Sequence, residues 1–228
     1  MTNSHFFVIN HACILQKFQY NKSMDTENQV SKRQSKQIDT YDRLLESAYH
    51  LFIQRGYDAV SIQDITEQAF IAKGTFYNYF RDKDDLKEQL ITRKSSELFQ
   101  MAIAALRQTG IADFESQIIF IVDYITDILS QNQDALKLIA KNLSFGLFNH
   151  KVSEIFTNDS MDILHSLVRA AEHSGIQLKN PKVLLFMIVE LASSTCFSCI
   201  LEDEPLEFAV YKPYLFDAIR QIIRSQTL

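Results

Sequence analysis

The amino-acid sequence predicts an all-α protein of about nine helices, in which a three-helix N-terminal head with a helix-turn-helix precedes a C-terminal helical bundle. Only five Gly and three Pro occur among 228 residues, so few positions interrupt a helix. Apolar residues recur three and four positions apart, and alternating apolar and polar runs bounded by turn signals are not found. Hydrophobic residues amount to 46% of the chain and include 17 Phe, which is sufficient for a large core.

The first 23 residues differ from the remainder because they show no helical periodicity. Their apolar patch at residues 6–9 is shorter than the apolar core of a secretory signal and lacks its basic start. We expect residues 1–23 to be a disordered extension or the product of an upstream start site, with Met24 as the natural beginning.

The first helix of the head is predicted from about Tyr41 to Arg55. Thr40 or Asp39 is its candidate N-cap, and Gly56 is its C-terminal stop. Its apolar residues at helical spacing are Leu44, Leu45, Ala48, Leu51 and Phe52.

Residues 61–83 contain two short helical patterns separated by a tight break, which is typical of a helix-turn-helix. Ser61 can cap the first of these helices, and Asp64 three residues later completes a capping box. In the second helix, Lys73 to Asn78, we expect Phe76 and Phe80 to point into the core. Its exposed side would carry Lys73, Thr75, Tyr77 and Asn78, which suit base edges and phosphates in a major groove.

The run KGTFYNYFRDKDDL, from Lys73 to Leu86, resembles the K-G-T-x-Y-x-Y-F-x-x-K-x-x-L pattern of the TetR family of one-component transcriptional repressors. The resemblance implies a helix-turn-helix DNA-binding domain at residues 38–82. It implies that Lys73, Gly74 and Thr75 contact bases or adjacent backbone, with Gly74 allowing close approach. It also implies phosphate contacts from Ser61, Tyr77, Asn78, Tyr79 and Lys83.

Two residues depart from the family pattern, because Phe70 replaces a turn glycine and Ala72 replaces a capping serine. A bulky residue with positive φ is strained, and a missing cap costs roughly 0.5–2 kcal/mol. We therefore expect an altered turn, in which Phe70 packs against the preceding helix.

The body, residues 83–228, is predicted as a ligand-binding and dimerisation domain. Asp82 and Asp85 form an N-terminal cap for a long helix from Lys83 towards Leu106, which connects head and body. Five further helices are predicted near residues 113–130, 132–149, 152–174, 181–201 and 206–225. In the first of these, residues repeating three and four apart form a core-facing stripe: Phe114, Ile118, Ile121, Val122, Ile125 and Ile128.

Charge is distributed unevenly along the chain. Residues 31–95 carry 11 Lys or Arg against 10 Asp or Glu, whereas residues 96–228 carry 10 against 16. The overall charge of −5 is unusual for a DNA-binding protein, but the excess of acid lies in the body. Within the predicted extension, residues 1–37, the basic residues Lys32, Arg33 and Lys36 form either a flexible arm for DNA or a solvated tail.

The interior of the bundle is rich in aromatic residues, and a regulator of this family would use such an interior to bind a small apolar or aromatic effector. The alternative is an ordinary packed core, since helical stripes exist chiefly to bury helices. The candidate pocket residues are the aromatic Tyr124, Phe145, Phe148 and Phe186 and the polar Asn142, His165 and Glu190.

Residues 183–201 are apolar enough to consider a membrane span. We favour a soluble dimer, because Glu190, Ser193, Ser194 and Thr195 interrupt the segment and a helix buried on two sides is apolar all round. The resemblance implies that helices near 181–201 and 206–225 pair with their copies in a homodimer.

Neither metal binding nor catalysis is predicted. Cys196 and Cys199 have C-x-x-C spacing, but a second ligand pair for zinc and a βαβ context for redox chemistry are both missing, so core packing is the better interpretation. Catalytic motifs and phosphate-binding glycine loops do not occur. The chain is expected to be a non-enzyme without a cofactor.

The expected function is a ligand-responsive DNA-binding regulator of repressor type that binds a palindromic operator as a homodimer and is released by a small apolar or aromatic effector. The alternative is a helical dimeric adaptor or small-molecule-binding protein with a degenerate DNA-binding head, because of Phe70, Ala72 and the acidic total. Cysteine usage favours a cytoplasmic location.

Overall fold

The computed structural model describes residues 32–139 and 159–228, and over these residues the chain is helical as predicted. Contacts divide the chain into two compact units, residues 1–40 and 41–228. The described part contains nine helices: α1 Lys32–Arg55, α2 Ile62–Gln68, α3 Lys73–Phe76, α4 Lys83–Leu106, α5 Phe114–Ser130, α6 Gln133–Ile139, α7 Asp159–His173, α8 Pro181–Leu201 and α9 Phe208–Ser225. Within these ranges the β structure is a single bridge between Leu178 and Thr227.

Helix α1 begins at Lys32, which is nine residues earlier than predicted. Neither Asp39 nor Thr40 is an N-cap, because both lie inside the helix. The basic segment 32–37, predicted as part of a flexible extension, is helical. Lys, Arg and Gln are good helix formers and this segment has no Gly or Pro, so the helix continues beyond its apolar stripe.

Local hydrogen bonds define the predicted ends of the head helices. Gly56 has φ +79° and donates its N–H to the Phe52 carbonyl at 3.0 Å, which ends α1. At the start of α2, the Asp64 N–H donates to Ser61 Oγ at 3.1 Å and the Ser61 N–H donates to Asp64 Oδ2 at 2.8 Å. The predicted capping box is therefore confirmed.

The turn between α2 and α3 differs from the prediction at Phe70. This residue takes the left-handed conformation, with φ +56°, that a turn glycine would adopt. Its side chain is 88% exposed, so the predicted packing against the preceding helix is wrong. The chain retains a tight turn at the expense of local strain and an exposed ring. Ala72 at the N-cap of α3 makes no side-chain hydrogen bond, as expected.

The head and the start of α4 share one apolar core. It combines residues of α1 and α2 with Phe76, Phe80, Leu86 and Leu90. The side chains of Phe76 and Phe80 are 0% and 1% exposed, which confirms that they point inwards. Helix α4 begins after Asp82, whose carboxylate accepts the Asp85 N–H at 2.8 Å, and its bounds agree with the prediction.

The body contains two further apolar clusters. One joins Phe99 of α4 to Leu129, Leu136 and Val189, and the other joins Phe114 to residues of α7, α8 and α9. Asp113 and Asn180 cap α5 and α8, and Pro181 occupies the first turn of α8, where its missing N–H is tolerated.

All five predicted body helices agree with the structure to within two residues at every end that has described residues on both sides. The predicted segments 132–149 and 152–174 extend into residues 140–158, which lie outside the described part of the chain. The predicted division between residues 82 and 83 falls inside the second compact unit and stays a prediction.

Candidate nucleic-acid interface and internal cavity

The outer surface of α3 presents polar side chains on a buried aromatic support. Lys73, Tyr77 and Asn78 are exposed and Thr75 is half-buried. Tyr77 packs edge-on against the buried ring of Phe76, with the ring centroids 5.4 Å apart. The polar groups are therefore held on a short helix whose opposite side is anchored in the head core, as surface readout of a groove requires.

Gly74 lies on this surface without any steric reason inside the protein to be glycine. Its φ is outside the left-handed region, and a Cβ built there would meet nothing within 4 Å. Helix formation would favour Ala over Gly by roughly 0.5–1 kcal/mol. The free space on the outside of α3 is what a backbone that approaches another molecule closely would need.

Two other predicted contact residues, Ser61 and Tyr79, have partners within the head. The Ser61 hydroxyl is used in the capping box of α2. The ring of Tyr79 is half-buried and lies 6.2 Å from the ring of Tyr41. The predictions that Ser61 and Tyr79 bind phosphates remain predictions.

Lys83 has a different environment from the one expected of a phosphate-binding lysine. Its ammonium donates to the Tyr57 carbonyl at 3.0 Å and to the Val60 carbonyl at 2.9 Å, and lies 4.1 Å from the centre of the Tyr57 ring. Two of its three donors are thus occupied in joining α4 to the loop before α2. The structure indicates a role in the shape of the head, which the sequence pattern did not reveal.

Polar contacts also hold the helix-turn-helix against α1 and α4. Arg43 donates to the carbonyl of Ala69 at the end of α2. The Tyr57 hydroxyl donates to Asp84. Burial, followed by this hydrogen bond to a carboxylate, raises the pKa of Tyr57, so the phenol stays protonated at neutral pH.

A charged cluster joins α1 to α4 below the head. Lys94 donates to Glu46 at 2.8 Å and to Glu97 at 3.0 Å, while Arg93 pairs with Asp42 and Glu97. Burial opposes ionisation of Glu46, but the hydrogen bond and charge of Lys94 outweigh it and lower the pKa of Glu46. Glu46 and Lys94 are therefore both charged at neutral pH, and their ion pair links α1 of the head to the long helix α4.

The body contains a partly open cavity of about 380 Å³, a size typical of small-molecule sites. Helices α4, α5, α6, α7 and α8 all contribute to its wall. Helices α5 and α8 contribute most of the lining, and the part from α5 includes Ile118, Ile121, Val122 and Ile125 of the predicted core-facing stripe. The lining is mainly apolar, and among the described residues its charged members are Arg107 and Arg169.

The four described residues of the predicted pocket do not line this cavity. Tyr124 stacks on Phe120 at 6.1 Å, and Glu190 is half-buried. His165 and Phe186 are exposed, Phe186 to 46%. Asn142, Phe145 and Phe148 lie outside the described residues. Aromatic and polar character selected these residues, whereas lining depends on which way each helix is turned, and the α5 stripe was the better signal.

Apolar contacts connect the cavity to the head. Leu136 lines the cavity, and Leu138, two residues later on α6, packs against both the head core and the neighbouring body cluster. Ile53 near the end of α1 packs against the same body cluster. A change in the position of α6 or of α4 therefore reaches the head through direct contact.

Helices α8 and α9 pack against each other and leave large apolar side chains exposed. Val183 and Phe186 belong to α8, and Val210 and Tyr214 belong to α9, with Tyr214 65% exposed. Of the helices in the described ranges, α8 has the length and apolar composition of a membrane span, a property shared by core helices of soluble proteins.

The cysteines of α8 have the properties of packed apolar residues. Cys196 and Cys199 are both buried and free. Burial raises the pKa of Cys196 to about 12, so its thiol is protonated and unreactive at neutral pH. No group of three or more potential metal ligands occurs in the parts of the chain the structure describes.

Comparisons with known proteins place this arrangement among bacterial regulators. Residues 44–90 match the family model for bacterial regulatory proteins of the tetR family. The uncharacterized HTH-type transcriptional regulator YhgD of Bacillus subtilis (strain 168) is 25% identical over 175 residues, which cover 75% of this chain and 89% of that protein. The HTH-type transcriptional repressor DhaR of Mycobacterium sp. (strain GP1) is 32% identical over 68 residues, which cover 30% of this chain and 34% of that protein.

Solved structures share the fold. The transcriptional regulator FadR from Bacillus subtilis, crystallised in complex with stearoyl-CoA, superimposes with a TM-score of 0.54 at 17% sequence identity. The superposition covers 78% of this chain and 97% of that one. At this identity the similarity concerns the architecture of an N-terminal helix-turn-helix and a C-terminal helical domain.

Proposed function

We propose that this chain, which belongs to the TetR family of helix-turn-helix transcriptional regulators, is a homodimeric repressor that binds a palindromic operator and is released by an apolar small molecule. The observation that carries the proposal is the α3 surface, where Lys73, Tyr77 and Asn78 surround an unobstructed Gly74. Repression is supported by the name of the relative DhaR, which is similar to this chain over 68 residues.

In this mechanism α3 enters a major groove and its N-terminal residues contact base edges and phosphates. Lys73 neutralises a phosphate or reads a guanine, and Thr75 and Asn78 offer short hydrogen-bonding groups. The two heads of a dimer meet successive grooves, so the operator is a palindrome with half-sites about one helical turn apart, or a multiple of that.

Selection from a pool of genomic fragments tests DNA binding directly. We expect purified protein to enrich a palindrome at moderate salt. Lys73→Ala then weakens binding and reduces the salt dependence by about one phosphate contact. Lys137→Ala is the matched control, because Lys137 lies on α6 and pairs with Asp134 at 3.6 Å. An absence of enrichment by a folded dimer contradicts the proposal and favours the adaptor alternative.

The exposed apolar residues of α8 and α9 support a homodimer through these helices. Two adjacent helices that expose Phe186 and Tyr214 present more apolar surface than a solvated face needs. A second copy covers it by packing the same two helices around a twofold axis.

Sedimentation of charge-introducing variants tests this interface. Phe186→Glu combined with Tyr214→Glu is expected to give a monomer, because each buried carboxylate lacks a partner. Phe70→Glu is the control, since Phe70 is equally aromatic and even more exposed but lies in the head turn. A double variant that remains dimeric excludes α8 and α9 as the interface.

The cavity between α4, α5, α6, α7 and α8 is the proposed effector site. Phe99 and Ile103 of α4 and Leu136 of α6 contribute to its lining. A ligand that fits only when these helices are displaced favours a dimer whose heads are wrongly spaced. Binding of the ligand then weakens binding of the operator, and the reverse, by a coupling free energy of typically about 1–3 kcal/mol.

Reciprocal binding measurements test this coupling once an operator and a ligand are known. We expect the free protein to bind the ligand about 5- to 150-fold more tightly than the operator complex does. Ile163→Trp, which fills the cavity, should lower ligand affinity while leaving operator binding intact. Equal ligand affinity of free and bound protein would falsify the release mechanism.

The same membership supports a non-enzymatic, cytoplasmic protein, since its relatives are named as transcriptional regulators. The DNA selection and a fractionation of cells that express the chain check the two statements. Recovery in the membrane fraction would contradict the second.

A further inference from the structure

The internal cavity has a polar end and an apolar end. Residues 107–113 connect α4 to α5, so Arg107 and Gln117 belong to the same end of the cavity. Phe99 and Leu129 share one apolar cluster and form the other end. From Gln117 to Leu129, α5 rises about 18 Å at 1.5 Å per residue, so the cavity is elongated.

A second arginine reaches the polar end from α7. Arg169 lines the cavity, and five residues later the Ser174 hydroxyl donates to the Ala112 carbonyl at 3.4 Å, which places the end of α7 against the loop from 107 to 113. Gln117 donates to the Ile111 carbonyl at 2.9 Å and orders the same loop.

Both arginines are exposed at the cavity and lack a carboxylate partner among the described residues, in contrast to the other arginines of the body. Arg220 pairs with Asp217 at 2.9 Å, and Arg224 pairs with Glu115 at 3.0 Å. The Nε of Arg169 donates only to the His165 carbonyl of its own helix at 3.4 Å. No Asp or Glu occurs in the described lining, although residues 96–228 carry 16 Asp or Glu against 10 Lys or Arg.

We infer that the cavity binds an amphipathic anion, with an alkyl or aryl chain along the apolar lining and an anionic oxygen group between Arg107 and Arg169. This rests on the proposed function and narrows its effector from an apolar molecule to one with a carboxylate-type or phosphate-type head. A guanidinium presents paired N–H donors that match the anionic group of such a ligand. The apolar end of the cavity excludes water from the ligand's alkyl or aryl group. The two cations also attract an anion that the acidic body otherwise repels.

Calorimetry with three ligands of one chain length separates charge from apolarity. The probes are decanoate, 1-decanol and decylammonium, each titrated into the purified full-length protein. We expect decanoate to bind about tenfold more tightly than 1-decanol and decylammonium to bind most weakly. The double variant Arg107→Gln with Arg169→Gln should lose this preference while its affinity for 1-decanol is unchanged. Arg220→Gln, whose arginine is outside the lining, is the matched control and keeps the preference.

The outcomes distinguish this inference from the function on which it rests. Equal affinity for decanoate and 1-decanol, or an unchanged preference in the double variant, overturns the inference, and so does a failure of all three probes to bind. Operator binding is measured separately without ligand. A protein that binds an operator but shows no preference for decanoate refutes the anionic ligand alone, whereas a preference for decanoate without operator binding supports the anion site and refutes the repressor.

Discussion

Replacement of Gly74 by alanine is expected to stabilise the protein and to weaken its binding to DNA. The residue has an ordinary φ, and a Cβ would meet nothing within 4 Å. Alanine is favoured over glycine in a helix by roughly 0.5–1 kcal/mol. Because α3 has only four residues, we take about 0.5 kcal/mol, which raises Tm by about 1–2 °C for a chain of this size.

The same methyl group lies where the backbone of α3 would approach DNA. Filling that space should increase the operator Kd roughly tenfold, equivalent to about 1.4 kcal/mol. Thermal unfolding at fixed protein concentration measures the first effect, and fluorescence anisotropy with an operator duplex measures the second. Fixed concentration matters because the stability of a dimer depends on it.

Gly56→Ala is the matched control for the stability measurement. A Cβ at Gly56 also meets nothing within 4 Å, but φ is +79°. The left-handed conformation costs alanine roughly 1–2 kcal/mol, so Tm should fall by about 2–8 °C. A destabilised Gly74→Ala would refute the reasoning on backbone conformation, and an unchanged operator Kd would refute close approach at this position.

Three further substitutions are expected to have effects of predictable sign, measured by urea denaturation. Phe70→Gly should raise the free energy of unfolding by up to about 1 kcal/mol, because the strain at φ +56° is relieved. Removal of the ring loses little buried area, since Phe70 is 88% exposed. A loss of stability would show that the ring has a partner. Lys94→Met should cost roughly 1–2 kcal/mol at pH 7, because it removes the partner of Glu46. The pKa of Glu46 is lowered in the folded state, so its stabilising contribution is present above the unfolded pKa and disappears as the pH falls through the folded pKa. The difference between parent and variant should therefore shrink in acid, and a constant difference would contradict the assignment. Tyr41→Phe should cost about 1–2 kcal/mol, because the buried 2.7 Å bond from its hydroxyl to Gln89 is lost, and a neutral effect would imply that water replaces it.

Features set by neighbouring residues were predictable from sequence. The capping box of Ser61, the cap at Asp82 and the stop at Gly56 each depend on residues within four positions of one another. Their hydrogen bonds form between groups that the helix geometry brings together whatever the rest of the fold does. The bounds of α4 and α8 were therefore correct to the residue.

Side-chain directions that depend on distant partners could not be predicted from the sequence. Lys83 was expected at a phosphate, but its donors reach carbonyls more than twenty residues earlier in the chain. Phe70 was expected to pack, but the turn directs its ring to solvent. The described candidates for the pocket are absent from the cavity wall. Each case concerns the direction of a side chain relative to another element.

Apart from the start of α1, local sequence thus specified the described helices, the caps at Ser61 and Asp82 and the α3 motif, because hydrogen bonds and the 3.6-residue period act over short separations along the chain. The cavity, the pairing of α1 with α4 through Lys94, and the two unpaired arginines at one cavity end arise from the rotation and packing of helices far apart in sequence. Those arrangements depend on which faces of distant helices pack together, and such packing cannot be read from the pattern of a single helix.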